Sequence, residues 1–309
     1  MSVVIGPEHA QAYYDNEDTY GDGGSAGSPD FSWIGMIQEC PSLSSYSKMG
    51  ARGIGSVDLT AIRTGMKKPE LNLKWIVQRE RTVSTAFDPI TFLAYAHTFP
   101  TYGLGLEVLY TYGTSPSYVS LWYKGVLVNK LTLDWSIDSF IIASAQLYCQ
   151  NLVTGVAGVG NSYASDPLNL TNSYALPLTG FDSEVFLDVD AGGDTTTEVK
   201  RVHFEIDNKL TRLPVIQAAN PELLKYMAKG ARTLEGEITI YFASRTAFDY
   251  VLGNNSLDIM IDLHKTDHSR FDFTGCKIDD SVLSTRVTEF PCEVTLPFKA
   301  TALSITNAA

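Results

Sequence analysis

Cysteine is scarce and scattered: Cys40, Cys149, Cys276 and Cys292 are the four in 309 residues, and no CxxC pair brings two together. That spacing excludes the common zinc clusters and a dense disulfide framework, and it leaves small buried thiols as the expectation. Long apolar runs are missing too. No stretch approaches the roughly 18 apolar residues of a spanning helix, and the opening MSVVIGPEH has no basic region followed by an apolar one, so neither membrane segment nor export signal is expected. Basic charge is short, with 23 Lys and Arg against 35 Asp and Glu and a formal net charge of −12. A groove that grips nucleic acid through its phosphates needs the opposite sign, although DNA can pass such a surface without sticking.

Catalytic signatures are equally thin. There is no GxSxG, and no Cys/His pair has an orienting partner beside it, so no enzymatic activity, cofactor or metal is expected. LHKTDH places His264, Asp267 and His268 close together, but it sits between two strand patterns, where a helical i, i+4 ligand pair cannot form; a polar hairpin turn is the reading. DVDAGGD (188–194) starts like a calcium loop, yet Gly192 stands at the third ligand position and no bidentate Glu follows, which points to a tight turn.

What is present is strand. At 44% hydrophobic and 19% charged the composition is globular. LNLKWIV (71–77) and LEGEITIYF (234–242) alternate apolar and polar with period two, and similar short runs recur along the chain with turn residues between them. Helix signals are local. In TAFDPITFLAYAH, Asp88 can cap and Pro89 can start a short helix; in NPELLKYMAKG, Asn220 can cap, Pro221 fits the first turn and Gly230 can close the end. The fold class expected is mainly β: two tandem β-sandwich or barrel domains, each with a short flanking helix. The divisions fall at composition shifts, with a flexible acidic arm at 1–30, a first domain at 31–152, a Gly/Ser/Asn-rich linker at 153–180 and a second domain at 181–309.

The chain also repeats itself. PSLSSYSKMGAR (41–52) and PELLKYMAKGAR (221–232) agree at six of twelve positions, TAFD occurs at 85–88 and 246–249, and Gly125–Phe140 has the layout of Gly275–Phe290. The order of these matches is the same in both halves, which reads as a tandem duplication of one β-rich domain.

ALPLTGFDSEVFLDVD, VKRVHFEIDNKLTRLP, GARTLEGEITIYFASRTAFDYVLGNNSLDIMIDL and FDFTGCKIDD with FPCEVTLPFKA resemble the tail tube proteins of tailed viruses, over roughly residues 31–305. The resemblance implies small β-sandwiches whose inner strands join into a barrel across a ring of subunits. Rings then stack into a conduit for the genome, and chains with two domains form threefold, pseudo-sixfold rings. The partners implied are further copies of the chain, the tape measure, tail terminator and baseplate or tip proteins, and double-stranded DNA in transit, with assembly in the host cytoplasm and residence in the virion tail. If the apolar faces of the two long strands pack inward, Asn72, Lys74, Gln78, Glu235, Glu237 and Thr239 are candidates to face the lumen, with Lys74 paired or near the rim. Two other readings stand beside this one: the inner tube of a contractile injection machine, and a monomeric sandwich that binds carbohydrate or another surface ligand through some of its 16 tyrosines.

Overall fold

The computed structural model describes residues 10–18, 32–40, 42–51, 61–80, 89–100, 103–112, 117–156, 175–189, 195–196, 199–213, 226–241, 257–264, 269–278 and 293–306. The first half contains β1 (Ala10–Asn16), β2 (Ser32–Trp33), β3 (Met36–Glu39), β4 (Ser42–Ala51), β5 (Ala61–Ile76), β6 (Gln78–Glu80), α1 (Pro89–Ala94), β7 (Leu104–Tyr112), β8 (Ser117–Ser136), β9 (Ile142–Tyr148) and β10 (Asn151–Val156). The second contains β11 (Ala175–Pro177), β12 (Glu184–Val189), β13 (Thr195–Thr196), β14 (Val199–Asp207), β15 (Thr211–Leu213), β16 (Tyr226–Ala228), β17 (Thr233–Tyr241), β18 (Leu257–Asp262), β19 (Arg270–Ile278), β20 (Glu293–Lys299) and β21 (Ala302–Thr306).

One antiparallel sheet runs through both halves in the spatial order β3 and β4, β5, β9, β8, β14, β17, β20. Against it lie two outer sheets, β2–β1–β7–β8–β10 in the first half and β13–β12–β18–β19–β21 in the second. β8 and β19 each serve both layers, turning from the outer sheet into the inner one at a glycine in the left-handed region, Gly125 with φ 61° and Gly275 with φ 62°.

The two halves share one order of pairings. β1·β7, β7·β8, β8·β10, β3·β5, β5·β9 and β8·β9 correspond to β12·β18, β18·β19, β19·β21, β14·β17, β17·β20 and β19·β20. Irregularities recur with them. The ladder slips between Leu104 and Leu106 and again between Leu257 and Ile259, and between Ile37 and Glu39 and again between Val199 and Arg201. Along these ladders Glu70 corresponds to Glu235, Asn72 to Glu237 and Lys74 to Thr239.

Alternation is what builds the core. Leu71, Leu73 and Trp75 of β5, Leu131, Leu133 and Trp135 of β8, Val202, Phe204 and Ile206 of β14, and Ile238 and Ile240 of β17 are all buried on one face of the inner sheet. Trp75 meets Phe92 of α1 edge-on at 5.5 Å, and Phe92 meets Tyr14 of β1 at 5.1 Å. In the second half Phe204 lies 5.1 Å from both Phe271 and Phe273, and Phe273 5.5 Å from Phe298. Trp135 reaches Phe204 at 6.3 Å, so the core is continuous across the junction of the halves. At Gly236 the sheet leaves room for an aromatic ring: a Cβ there would stand 2.5 Å from Phe298 Cζ and 2.7 Å from His203 O. Gly236→Val should therefore cost about 2–4 kcal/mol by overpacking, read as a lower denaturant midpoint at unchanged slope.

Several expectations change. β1 lies inside the stretch expected to be a flexible arm, yet residues 10–16 pair with β7 and bury Ala12 and Tyr14; Gly- and Asp-rich neighbours masked a short strand pattern. β10 and β11 take the ends of the expected 153–180 linker, where β11 pairs with β6 and Leu178 is buried. The helix at Pro89 forms, while its expected cap Asp88 lies outside the described residues. The phrase at 41–52 is strand where described, and at 226–228 so is its partner, because both run beside a neighbour that satisfies their backbone. The two phrases also occupy different arms, the first before the turn into its long strand and the second after it. Gly230 has no left-handed φ; it is glycine because a Cβ would stand 2.5 Å from Lys209 O. The TAFD pair falls outside the described residues.

Candidate functional site

The face of the inner sheet turned away from the core is polar along its whole width. β5 presents Glu70, Asn72 and Lys74, β9 Ser144 and Gln146, and β8 Lys130, Thr132 and Asp134; β14 presents Arg201, His203 and Glu205, and β17 Glu235, Glu237 and Thr239. Asn72, Lys74, Glu235, Glu237 and Thr239 share this face, as alternation predicts. Gln78 does not. It is 2% exposed, because the chain changes partner from β9 to β11 after Ile76 and Val77 and Gln78 are both buried there. Two shallow grooves cross the face, one lined by Asn72, Lys74, Lys130, Thr132 and Gln146, the other by His203, Glu205, Glu235, Glu237 and Lys299.

Four cations on or beside this face are tied to carboxylates. Lys74 Nζ lies 3.2 Å from Glu39, Lys130 Nζ 2.7 Å from Glu205, and Arg201 donates from Nε and Nη2 to the two oxygens of Asp134 at 3.1 Å each; Lys200 pairs with Glu293. The pairing expected of Lys74 is thus present. Glu235 and Glu237 are exposed and make no ion pair among the described residues, and Lys299 stands opposite Glu235 in the β17·β20 ladder. Exposed pairs contribute little to stability, and their consequence here is electrostatic: they remove free cations from a broad surface.

The halves are joined edge to edge. β8 and β14 pair from Arg201 opposite Ser136 to Asp207 opposite Lys130, and Lys130–Glu205 and Arg201–Asp134 span that seam. Beside it sits a polar lock that sequence reasoning did not reveal, since its members are 24 to 135 residues apart. Arg232 donates from Nε to Asn208 Oδ1 (2.8 Å) and from Nη2 to His97 O (2.7 Å), and its Nη1 meets His97 Nδ1 at 2.7 Å. Asn208 Nδ2 donates in turn to Ala96 O (2.8 Å) and Val128 O (2.9 Å), while Leu210 N donates to Asn129 Oδ1 (2.8 Å). Lys229 stands 4.1 Å above the Phe99 ring. Arg232→Ala should cost about 2–4 kcal/mol, since it leaves partly buried acceptors from both halves unmatched; a fall in melting temperature measures it.

Burial, and then the neighbouring Arg232, hold the His97 pKa below its ordinary 6.5. Folding thus favours the neutral ring, and the stability this provides is present above the unfolded value and lost as pH falls through the folded one. Resistance to urea should drop on acidification below about 6.5, with part of that slope abolished in His97→Gln.

His264 is buried at the end of β18, and Asp267 and His268 lie outside the described residues. Residues 190–194 also lie outside them, between strands β12 and β13, which pair antiparallel. Cys40, Cys149 and Cys276 are free thiols, the last two buried, and burial pushes the Cys276 thiol up to about 12. Among the described residues no group of three His, Cys, Asp or Glu is placed to hold a metal, and no helix is long and apolar enough to cross a membrane.

A layered β structure with one broad polar face and, among the described residues, an uncovered sheet edge has the build of an assembly subunit. The model of the phage tail tube protein family matches residues 13–302, and the chain belongs to that family. Its role is structural, as a tail tube subunit in the virion tail, assembling with itself and with other tail proteins. Among solved structures, the chain is similar to one from the anti-feeding prophage baseplate (11% identity, TM-score 0.35, covering 52% of this chain and 100% of that one). It is also similar to one from the tail of an empty GTA particle (13% identity, TM-score 0.28, covering 41% and 98%). No curated protein matches it.

Proposed function

We propose that three copies close head to tail into a ring of pseudo-sixfold symmetry, that rings stack, and that the polar face of the inner sheet lines the conduit through which double-stranded DNA leaves the capsid. The observation that carries this reading is the β8·β14 seam: two halves with the same order of pairings already stand side by side within one chain, in one continuous sheet. Repeating that step between chains generates a closed barrel without free edges. The shared pairings and the matched glycine corners support a tandem duplication, with the first domain extended to include β1 and the second beginning at β11. Asn72, Lys74, Glu235, Glu237 and Thr239 then face the lumen, where paired cations and surplus carboxylates let DNA slide. The part played is mechanical, with no catalysis; tape measure, terminator and baseplate or tip proteins meet the tube along its axis or at its ends.

Negative-stain electron microscopy of the purified protein, with rotational averaging of end-on views, tests it. Threefold, pseudo-sixfold rings or stacked tubes are expected. Sixfold rings would keep the tube and remove the role given to the duplication, and a persistent monomer at high concentration would overturn the proposal.

A further inference from the structure

Two polar rivets hold the β15–β16 ribbon and its flanks to the first half, and a proton acts on them differently. The first is a circuit. Leu210 N donates to Asn129 Oδ1 (2.8 Å), Asn129 Nδ2 to Gln146 Oε1 (2.7 Å), Gln146 Nε2 to Glu70 Oε1 (2.7 Å), and Arg212 Nη2 to Glu70 Oε2 (3.3 Å). The Arg212 guanidinium also lies 4.0 Å from the centre of the Tyr148 ring. No histidine takes part in this circuit.

The second rivet is the lock of Arg232 on His97 and Asn208, and it turns on one lone pair. An arginine can only donate, so the 2.7 Å contact between Arg232 Nη1 and His97 Nδ1 makes Nδ1 the acceptor and puts the ring proton on Nε2. A second proton would set donor against donor and cation against cation. The charged groups around the ring offer no relief. Arg232 pairs with no carboxylate among the described residues, and Lys229 stands 4.1 Å above Phe99, two residues past His97. Lys209, one residue beyond Asn208, is exposed; its backbone N–H occupies the Asp207 carboxylate, and Glu205 is taken by Lys130. Burial and Arg232 both oppose the second proton while the lock is closed. Opening restores an ordinary imidazole, so it becomes more favourable as pH falls below about 6.5.

We infer that the His97–Arg232 contact is a proton-operated latch: protonation of His97 expels Arg232 and frees residues 97–99 from residues 229–232, while the Arg212 circuit keeps the ribbon seated on the first half. The joint between the halves is then stiff at neutral pH and compliant at one end in mild acid, with the β8·β14 ladder intact. Nothing in the latch depends on the ring.

Hydrogen–deuterium exchange of the full-length protein at about pH 7.5 and about pH 5, corrected for intrinsic exchange rates, tests it. The reporter is the segment around Gly230, whose N–H donates to Asn208 O at 3.2 Å. In wild type its protection should fall about fivefold or more on acidification, and by no more than about 30-fold, the ceiling that an imidazole of ordinary pKa 6.5 sets at pH 5. Residues 202–206 of β14 should keep theirs. His97→Gln, whose Oε1 accepts from Arg232 at either pH, should stay protected at both, and His97→Arg should be open at both. Wild type that is unchanged between the two pH values would overturn the latch, as would His97→Gln losing as much protection as wild type. A loss spread evenly over β14 and the reporter would show general softening and overturn it too. These comparisons need wild type and His97→Gln alone, so they decide the matter even where His97→Arg fails to fold.

Discussion

Tubes built from the Glu235→Lys/Glu237→Lys variant should hold double-stranded DNA that wild-type tubes release. Both residues are exposed on the polar face and make no ion pair among the described residues, so the lysines meet few carboxylates able to neutralise them. In a ring of three, six lysines would replace six carboxylates, and stacking repeats them along the channel. Six phosphate contacts make affinity fall about 10³-fold between 50 and 200 mM salt, so retention should be strong at the lower salt and weak at the higher. The substitutions are at exposed strand positions, and stability should move by no more than about 0.5 kcal/mol per site. DNA retention by assembled tubes across a salt series, with circular dichroism to check folding, measures the effect. Tubes that assemble yet retain nothing at low salt would show that this face does not line the channel.

Period-two alternation made the inner face legible from the sequence, because a strand with one wet and one dry side writes its burial directly into residue order. Asn72, Lys74, Glu235, Glu237 and Thr239 followed from that rule, and Gln78 failed where the strand changed partner and two consecutive residues became buried. Repeats were harder. The most conspicuous match, at 41–52 and 221–232, joins segments on different arms of their hairpins, whereas the correspondence in the ladders pairs Glu70 with Glu235, residues with no shared phrase around them. The quieter match of Gly125 with Gly275 was the structural one, because a left-handed corner restricts residue choice more tightly than a strand does. Nothing local could announce the lock of Arg232 on His97 and Asn208, since its geometry exists only after the halves meet. β1 was hidden for a related reason: its strand pattern is only seven residues long, and long-range pairing with β7 stabilises it.

The corner glycines carry the second large expectation. Gly275→Val should destabilise the protein by about 2–5 kcal/mol, and Gly125→Val by about 1–2 kcal/mol. Both place a β-branched residue at φ near +60°, where an L side chain crowds the following carbonyl at about 1–2 kcal/mol. Gly275 adds a collision, since a Cβ would stand 2.4 Å from Thr301 Oγ1, and that hydroxyl is held by its own hydrogen bond to Thr274 O at 2.9 Å. Moving Thr301 aside costs about another 1–3 kcal/mol. At each corner the glycine N–H is fixed by a carboxylate, Gly125 by Glu17 Oε1 at 2.7 Å and Gly275 by Asp258 Oδ1 at 2.8 Å, so the backbone cannot readily rotate to relieve the strain. The corner lets one strand lie in the outer sheet at one end and in the inner sheet at the other. A strand that straightens there loses its place in one layer, so ring assembly should fail in Gly275→Val at temperatures where the monomer is still folded. Urea unfolding gives the first quantity and electron microscopy the second. Equal costs at the two glycines would refute the role given to Thr301, and no loss at either would refute the corners themselves.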